Sequence, residues 1–338
     1  MPPWKDGETV PGDTVGFADI EAAARTLAGQ LRETPLVRSE SLSDATGCDV
    51  HLKLEHQQIT GSFKLRGATN AVRRLGAAER ASGVVGVSTG NHGRGLAYAA
   101  REAGVACIIC MSRLVPQNKV DAIRALGAEV RIVGESQDDA QLEVDRLVAE
   151  HGMTMLPPFD HPDVITGQGT LGLEILAQLP EAETLVVPVS GGGLIAGIAR
   201  AAKSLKPGIR VIGVTMERGA AMYQSQQAGR PVPVEELPTL ADALGGGIGL
   251  DNRYTFAMVR ELVDELHLVS EAQIADAVRH AYWQERQIIE GSGAVGIAAL
   301  KAGLIEDPGA CAVLLSGGNI DMALHNRLIN GEVVELPD

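Results

Sequence analysis

The chain has 338 residues, 45% of them hydrophobic, and a formal net charge of −14 at pH 7, enough apolar material for two or three structural units. That acidity, with no Lys/Arg run longer than a pair and only 3% aromatic residues, argues against nucleic acid or an anionic membrane as partner. No apolar run approaches the roughly 20 residues of a membrane span, and Met1–Asp6 lacks the charged-then-apolar layout of a secretory signal, so a cytoplasmic location is expected.

Residues 1–16, rich in Pro, Gly and charge, are expected to form a loose arm. Apolar spacing predicts a helix over Phe17–Leu31, capped by Asp13 or Thr14, and Thr34-Pro35-Leu36 then breaks into an extended segment. A strand at Val50–Leu54 leads to Ile59-Thr60-Gly61-Ser62-Phe63-Lys64, a turn that places Lys64 at the start of the next helix. Strand Val84–Val87 precedes helix Gly93–Glu102, strand Val105–Met111 precedes helix Asn118–Leu126, and strand Glu129–Val133 precedes helix Asp138–His151.

A second series follows Pro157-Pro158, with helix Gly169–Leu179, strand Leu185–Val189, helix Leu194–Leu205 and strand Val211–Val214. The segment 218–250 is poorer in pattern. Helix Tyr254–Val263, strand Leu266–Val269, helix Glu271–Arg286, a Gly/Ala-rich helix near Ser292–Leu300 and strand Ala312–Leu315 complete the series. Short apolar runs that each precede a longer amphipathic stretch are the pattern of parallel βα units. The fold class is therefore α/β and two-lobed, divided near residue 155, with ligand in the crevice at the C-terminal ends of the strands.

The four cysteines make no disulfide framework. Cys107 and Cys110 have C-x-x-C spacing, but they fall in a buried strand where i and i+3 point to opposite faces. Core packing is the better reading.

Four turns carry chemistry. At a helix start, Lys64 meets unpaired N–H groups and a positive dipole end, which disfavours an ammonium and favours the neutral amine that Schiff-base formation needs. Taken alone, a lysine after a Gly-Ser turn is most often a solvated surface charge. Ser190-Gly191-Gly192-Gly193-Leu194 lies between strand and helix, where glycines let the backbone approach one phosphate. It lacks the G-x-G-x-x-G layout of a dinucleotide site. Ser88-Thr89-Gly90-Asn91-His92 also opens a helix; its N–H groups suit a carboxylate, and Asn91 suits a phenolate oxygen. Leu315-Ser316-Gly317-Gly318-Asn319 ends the last strand.

In this order, the four motifs resemble the β-family (fold type II) pyridoxal-phosphate enzymes, in the branch of threonine dehydratase and serine racemase, from about Phe17 to Asp321. The resemblance implies a fold like the tryptophan synthase β-subunit, each lobe a mostly parallel twisted sheet flanked by helices. It implies a large cofactor domain of residues 1–77 and 161–338 and a small substrate-closing domain of 78–160. Lys64 then holds pyridoxal 5′-phosphate beside Phe63, Asn91 meets its O3′, and Ser190, Gly191, Gly192, Gly193 and Leu194 hold its phosphate. Ser316 meets the pyridine nitrogen, while Glu290 and Gly245 line the same pocket. Ser88, Thr89, Gly90, Asn91 and His92 cradle the substrate carboxylate. Two departures stand out. Racemases of this branch place Ser where Thr89 stands, and a β-branched side chain is stiffer, which counts against racemisation. Glu217 matches the first ligand of that branch's divalent cation, but Tyr223 stands where the second is expected, so the metal stays open.

The resulting expectation is a pyridoxal-phosphate lyase that removes water from a β-hydroxy amino acid and yields a 2-oxo acid and ammonia. Gln57-Gln58-Ile59-Thr60, Arg94 and 244–252 look closest to the hydroxyectoine-utilisation dehydratases, with L-threonine, L-serine and 3-hydroxyaspartate open as substrates. The alternatives are a serine or aspartate racemase, a β-replacement synthase, which commonly has Asn where this chain has Phe63, and a colourless amino-acid-binding protein. A homodimer is the expected assembly. The sequence ends about twenty residues after the Ser316 turn, so no appended amino-acid-sensing domain is expected.

Overall fold

The computed structural model describes residues 14–88, 90–113, 115 and 117–337. Its strands are β1 (Leu36–Arg38), β2 (Val50–Lys53), β3 (Val84–Val87), β4 (Cys107–Met111), β5 (Glu129–Ile132), β6 (Thr154–Met155), β7 (Thr184–Pro188), β8 (Arg210–Met216), β9 (Glu265–Val269) and β10 (Cys311–Leu314). They form a six-stranded sheet in the order β1-β2-β10-β7-β8-β9 and a four-stranded sheet in the order β5-β4-β3-β6. Every pairing is parallel except β1 with β2. The central strands β7 and β10 are buried throughout, as expected where helices cover both faces of a parallel sheet.

The helices are α1 (Phe17–Leu27), α2 (Glu40–Thr46), α3 (Lys64–Arg74), α4 (Ala77–Ser82), α5 (Asn91–Ala103), α6 (Gln117–Ala125), α7 (Gln137–His151), α8 (Pro162–Gln178), α9 (Gly193–Leu205), α10 (Ala221–Ala228), α11 (Thr255–Leu262), α12 (Glu271–Trp283), α13 (Gly291–Lys301) and α14 (Met322–Ile329). The expected cap of α1 is corrected: Gly16 occupies the N-cap and donates its N–H to Asp19 at 2.9 Å. Thr14 instead accepts from Arg200, and Asp13 lies outside the described residues. Val15, expected in a loose arm, is buried in the core cluster to which α8 and α9 contribute.

The largest difference is α8, which begins seven residues before the expected start. Gly167, Gly169 and Gly172 weaken its amphipathic pattern, yet each permits a close helix contact. A Cβ on Gly167 would stand 2.7 Å from Gly67 Cα of α3, and one on Gly169 3.0 Å from the Gly197 carbonyl of α9. Cys107 and Cys110 join clusters on opposite faces of the small sheet, and burial pushes their thiols up to about 12 and 11.

Under α3 lies an ion network with no counterpart in the sequence-based reading. Arg66, 3% exposed, donates to Glu55 at 2.6 and 2.9 Å and to Glu174 at 2.8 and 3.1 Å. Lys53 reaches the same Glu174 and the Thr34 carbonyl. Two cations against two carboxylates leave no buried charge unpaired. They fix α3 two residues beyond Lys64.

Candidate active site

Lys64 follows β2, Ser88 follows β3, Ser190 follows β7 and Ser316 follows β10, so the expected turns converge at the C-terminal ends of strands from both sheets. They line one cavity of 440 Å³. Phe63, Lys64, Ser88, Gly90, Asn91, His92, Ser190, Gly191, Gly192, Gly193, Leu194, Gly245, Glu290 and Ser316 all face it. Thr89 lies outside the described residues. Glu217, just past β8, is exposed and absent from the cavity lining. Among the described residues no group of three or more His, Cys, Asp or Glu converges on a cation.

Lys64 is the first residue of α3, and its Nζ donates to the Pro158 carbonyl at 2.7 Å. Burial lowers the amine to about 8. The neutral form expected from a helix dipole is thus favoured by desolvation instead. The preceding turn is stitched to the end of β10: Phe63 N–H donates to the Ser316 carbonyl at 3.0 Å, and Gly318 N–H to the Gly61 carbonyl at 2.9 Å. Lys64 and Ser316 are therefore held on one piece of backbone scaffold.

Across the cavity, the glycine turn enters α9. Gly192 adopts φ +89°, a left-handed conformation in which a Cβ is strained. A Cβ on Gly193 would stand 2.7 Å from the Phe159 carbonyl, and one on Gly191 would enter the Phe159 ring. The first N–H groups of α9 have no carbonyl one turn back and remain available to an anion.

Asn91 is held at both ends of its amide. Its Nδ2 donates to Glu290 Oε1 at 2.7 Å, and its Oδ1 accepts from Asn319 Nδ2 at 2.6 Å. Asn319 is in turn fixed by the Thr60 carbonyl. Glu290 precedes α13 without capping it; its carboxylate serves Asn91 instead. Burial foremost, and then the nearby Asp242 charge, push that carboxyl up to about 7.

Ser88 Oγ accepts from Gly93 N–H at 3.0 Å and Gly90 N–H at 3.3 Å, which tightens the turn into α5. The His92 ring donates through Nε2 to the Leu156 carbonyl at 2.8 Å. Burial, and then the Lys64 charge, lower it to about 4, so the ring is neutral at pH 7. The backbone N–H groups of Asn91 and His92, rather than the imidazole, have no partner among the described residues and remain available to an anion.

The sequence-based reading passed over 157–160, treating it as the break between two series. There Pro158 receives Lys64, Phe159 packs on the glycine turn, and Asp160 accepts the N–H groups of Arg253, Tyr254 and Thr255 at 2.7 to 2.9 Å at the start of α11. Only Pro-Pro followed by Phe-Asp marked it, a pattern shared with ordinary linkers.

A half-buried, deprotonable lysine that shares one cavity with a helix-start glycine turn, inside a two-sheet α/β fold, suits an enzyme that carries a phosphorylated carbonyl cofactor. The chain belongs to the pyridoxal-phosphate dependent enzyme family, whose profile matches residues 27–317, and within it to the fold type II branch of threonine dehydratases and serine racemases. It is 58% identical, over 94% of its length and 96% of the relative's, to a putative threonine dehydratase of Sinorhizobium fredii. It is 43% identical to an L-threonine ammonia-lyase of Thermotoga maritima, over 95% of this chain and 80% of that one. Maize serine racemase superposes with a TM-score of 0.88 at 32% identity, covering 94% of this chain and 97% of that structure.

Proposed function

We propose that the protein is a pyridoxal-phosphate-dependent dehydratase that takes a β-hydroxy amino acid to a 2-oxo acid and ammonia. The observation that carries this reading is the Lys64 amine, lowered to about 8 and facing the Gly191–Gly193 turn across one cavity. The names of the relatives, a threonine dehydratase and an L-threonine ammonia-lyase, support the same reaction.

The residues present fit the cofactor. Lys64 supplies the amine for its aldehyde, and the turn at 190–194 supplies N–H donors where a side chain would block the phosphate. Asn91 Nδ2 keeps a second hydrogen beyond the one given to Glu290, which suits the ring oxygen. Ser316 supplies a hydroxyl for the pyridine nitrogen, and a hydroxyl does not hold that nitrogen protonated as a carboxylate would. When bound, pyridoxal phosphate supplies the electron sink that makes the Cα proton of an amino acid removable and lets a β-substituent leave.

Lys64 Nζ takes the Cα proton as general base. Its burial makes the neutral amine accessible near neutral pH. The N–H groups at the start of α5 orient the substrate carboxylate, and Ser88 holds that turn in shape. In this reading 78–160 is a small domain that closes on the substrate, and the assembly is a homodimer. A place in hydroxyectoine catabolism belongs to the same proposal.

The test is a panel of L-threonine, L-serine and 3-hydroxyaspartate, with 2-oxo acid and ammonia measured together. Equimolar products from at least one member support the reading. A cofactor-loaded protein that releases neither from any of them sinks it.

A further inference from the structure

We propose that Arg94 reads a second anionic group on the substrate, so that the preferred β-hydroxy amino acid carries a side-chain carboxylate. The proposal rests on the dehydratase reading and narrows its substrate class.

Arg94 is the fourth residue of α5. Side chains of a helix lean toward its N-terminus, which here points Arg94 back at the turn expected to hold the substrate. Arg94 lines the cavity with Lys64, Ser88 and Asn91, and it also borders a more open groove formed with Gln57, Ile59 and Leu126. The residue is half-buried, and among the described residues its guanidinium makes no hydrogen bond or ion pair.

The acids nearby are already engaged or lie outside. Glu290 attracts Arg94 only at longer range and binds Asn91 at 2.7 Å. Asp242 faces Lys119 at 3.4 Å, and Glu236 is exposed at the rim. A partly desolvated guanidinium without a carboxylate is costly to keep, and its planar fork matches a carboxylate in two parallel hydrogen bonds. The α-carboxylate has the N–H groups at the start of α5 as donors. Arg94, one turn further along, is left for a second carboxylate on the β-carbon.

The chemistry balances for 3-hydroxyaspartate. A proton leaves Cα to Lys64, hydroxide leaves Cβ, and the enamine takes up one water as it releases ammonia and oxaloacetate. Nothing is oxidised or reduced overall.

The experiment compares kcat/KM for 3-hydroxyaspartate and L-threonine in the holoenzyme, in wild type, Arg94→Gln and Arg94→Lys. It adds calorimetric binding of succinate against butyrate, which reads the contact without turnover. The expected result is an acidic preference in wild type, and a ratio of acidic to neutral substrate that falls about 10- to 100-fold in Arg94→Gln, the span of one charge-assisted contact. Arg94→Lys, which keeps the charge without the fork, should fall between, and succinate affinity should follow the same order. Equal ratios in wild type and Arg94→Gln, with threonine still dehydrated, would overturn the proposal and leave the dehydratase reading standing. A loaded enzyme that releases oxo acid from neither substrate would remove the reading beneath it.

Discussion

The Lys64 amine donates to the carbonyl of Pro158 at 2.7 Å, so the amine at the start of α3 is held by the chain segment returning from the small sheet. Phe159, the next residue, packs on the glycine turn. A displacement of 157–160 would therefore disturb the amine and the glycine turn together.

Lys64→Ala should abolish the visible absorbance of bound cofactor and lower elimination by at least about 100-fold, the minimum expected when a positioned base is lost. Circular dichroism should remain native. In the wild-type apoprotein, the rate of cofactor capture should rise roughly tenfold per pH unit and level off above about 8, because only the neutral amine attacks. A capture rate flat from pH 6 to 9 would contradict a desolvated amine.

Gly192→Val should weaken pyridoxal phosphate binding at least about tenfold. A β-branched residue at φ +89° costs on the order of 1–2 kcal/mol in the backbone alone, and its Cβ would stand 2.8 Å from Met222 Cε. Equilibrium dialysis of the cofactor reads the effect directly; unchanged affinity would reduce the turn to a packing device.

Glu290→Gln should alter the pH dependence of stability in the cofactor-free protein. Burial raises the folded carboxyl from 4.5 to about 7, so the folded state binds more protons than the unfolded state within that window. Wild-type stability is therefore reduced as pH rises through it, by about 3 kcal/mol when complete, and is level above it. His92, lowered from 6.5 to about 4, acts in the opposite sense across 4 to 6.5. The difference between wild type and Glu290→Gln isolates the carboxyl. Thermal melts from pH 4 to 8 should show that difference growing with pH; parallel curves would refute the assignment.

Arg66→Ala should destabilise the fold by about 3–5 kcal/mol, the range for removing one member of a buried ion pair. It leaves Glu55, fully buried, with only the Thr34 hydroxyl. Urea denaturation measures the loss, and a change below about 1 kcal/mol would mean that Lys53 and water compensate.

Parallel βα units were legible because each strand is a short apolar run, and the ends of β3 match their expected limits. The small helices α2, α4, α10 and α14 were not, since six to eight residues give barely two turns over which a period can repeat, and of the helices that short only α11 was legible. The start of α8 was hidden because its glycines answer to neighbouring helices, which lie far away in sequence. In the site, turns at strand ends were visible as Gly/Ser clusters. Pairings such as Asn91 with Glu290 and Arg66 with Glu174 span 199 and 108 residues, and no local pattern encodes them.

The glycine contacts of α8 also bear on how a ligand is received. Lys64 begins α3 and the glycine turn leads into α9, and α8 meets α3 at Gly167 and α9 at Gly169 backbone to backbone, beside side-chain bonds such as Arg66 to Glu174. At those two glycines there is little room to slide, because backbone meets backbone and no rotamer can rearrange there. The separation between the amine and the glycine turn is therefore set by the packing of α8. In the proposed reading, a ligand gripped at both ends loses its own freedom on binding but does not have to order the protein, so preorganisation of these two anchors would contribute directly to affinity. A single added methyl at Gly167 or Gly169 would wedge the helices apart and change that separation, weakening the grip from the side of α8 remote from the cavity.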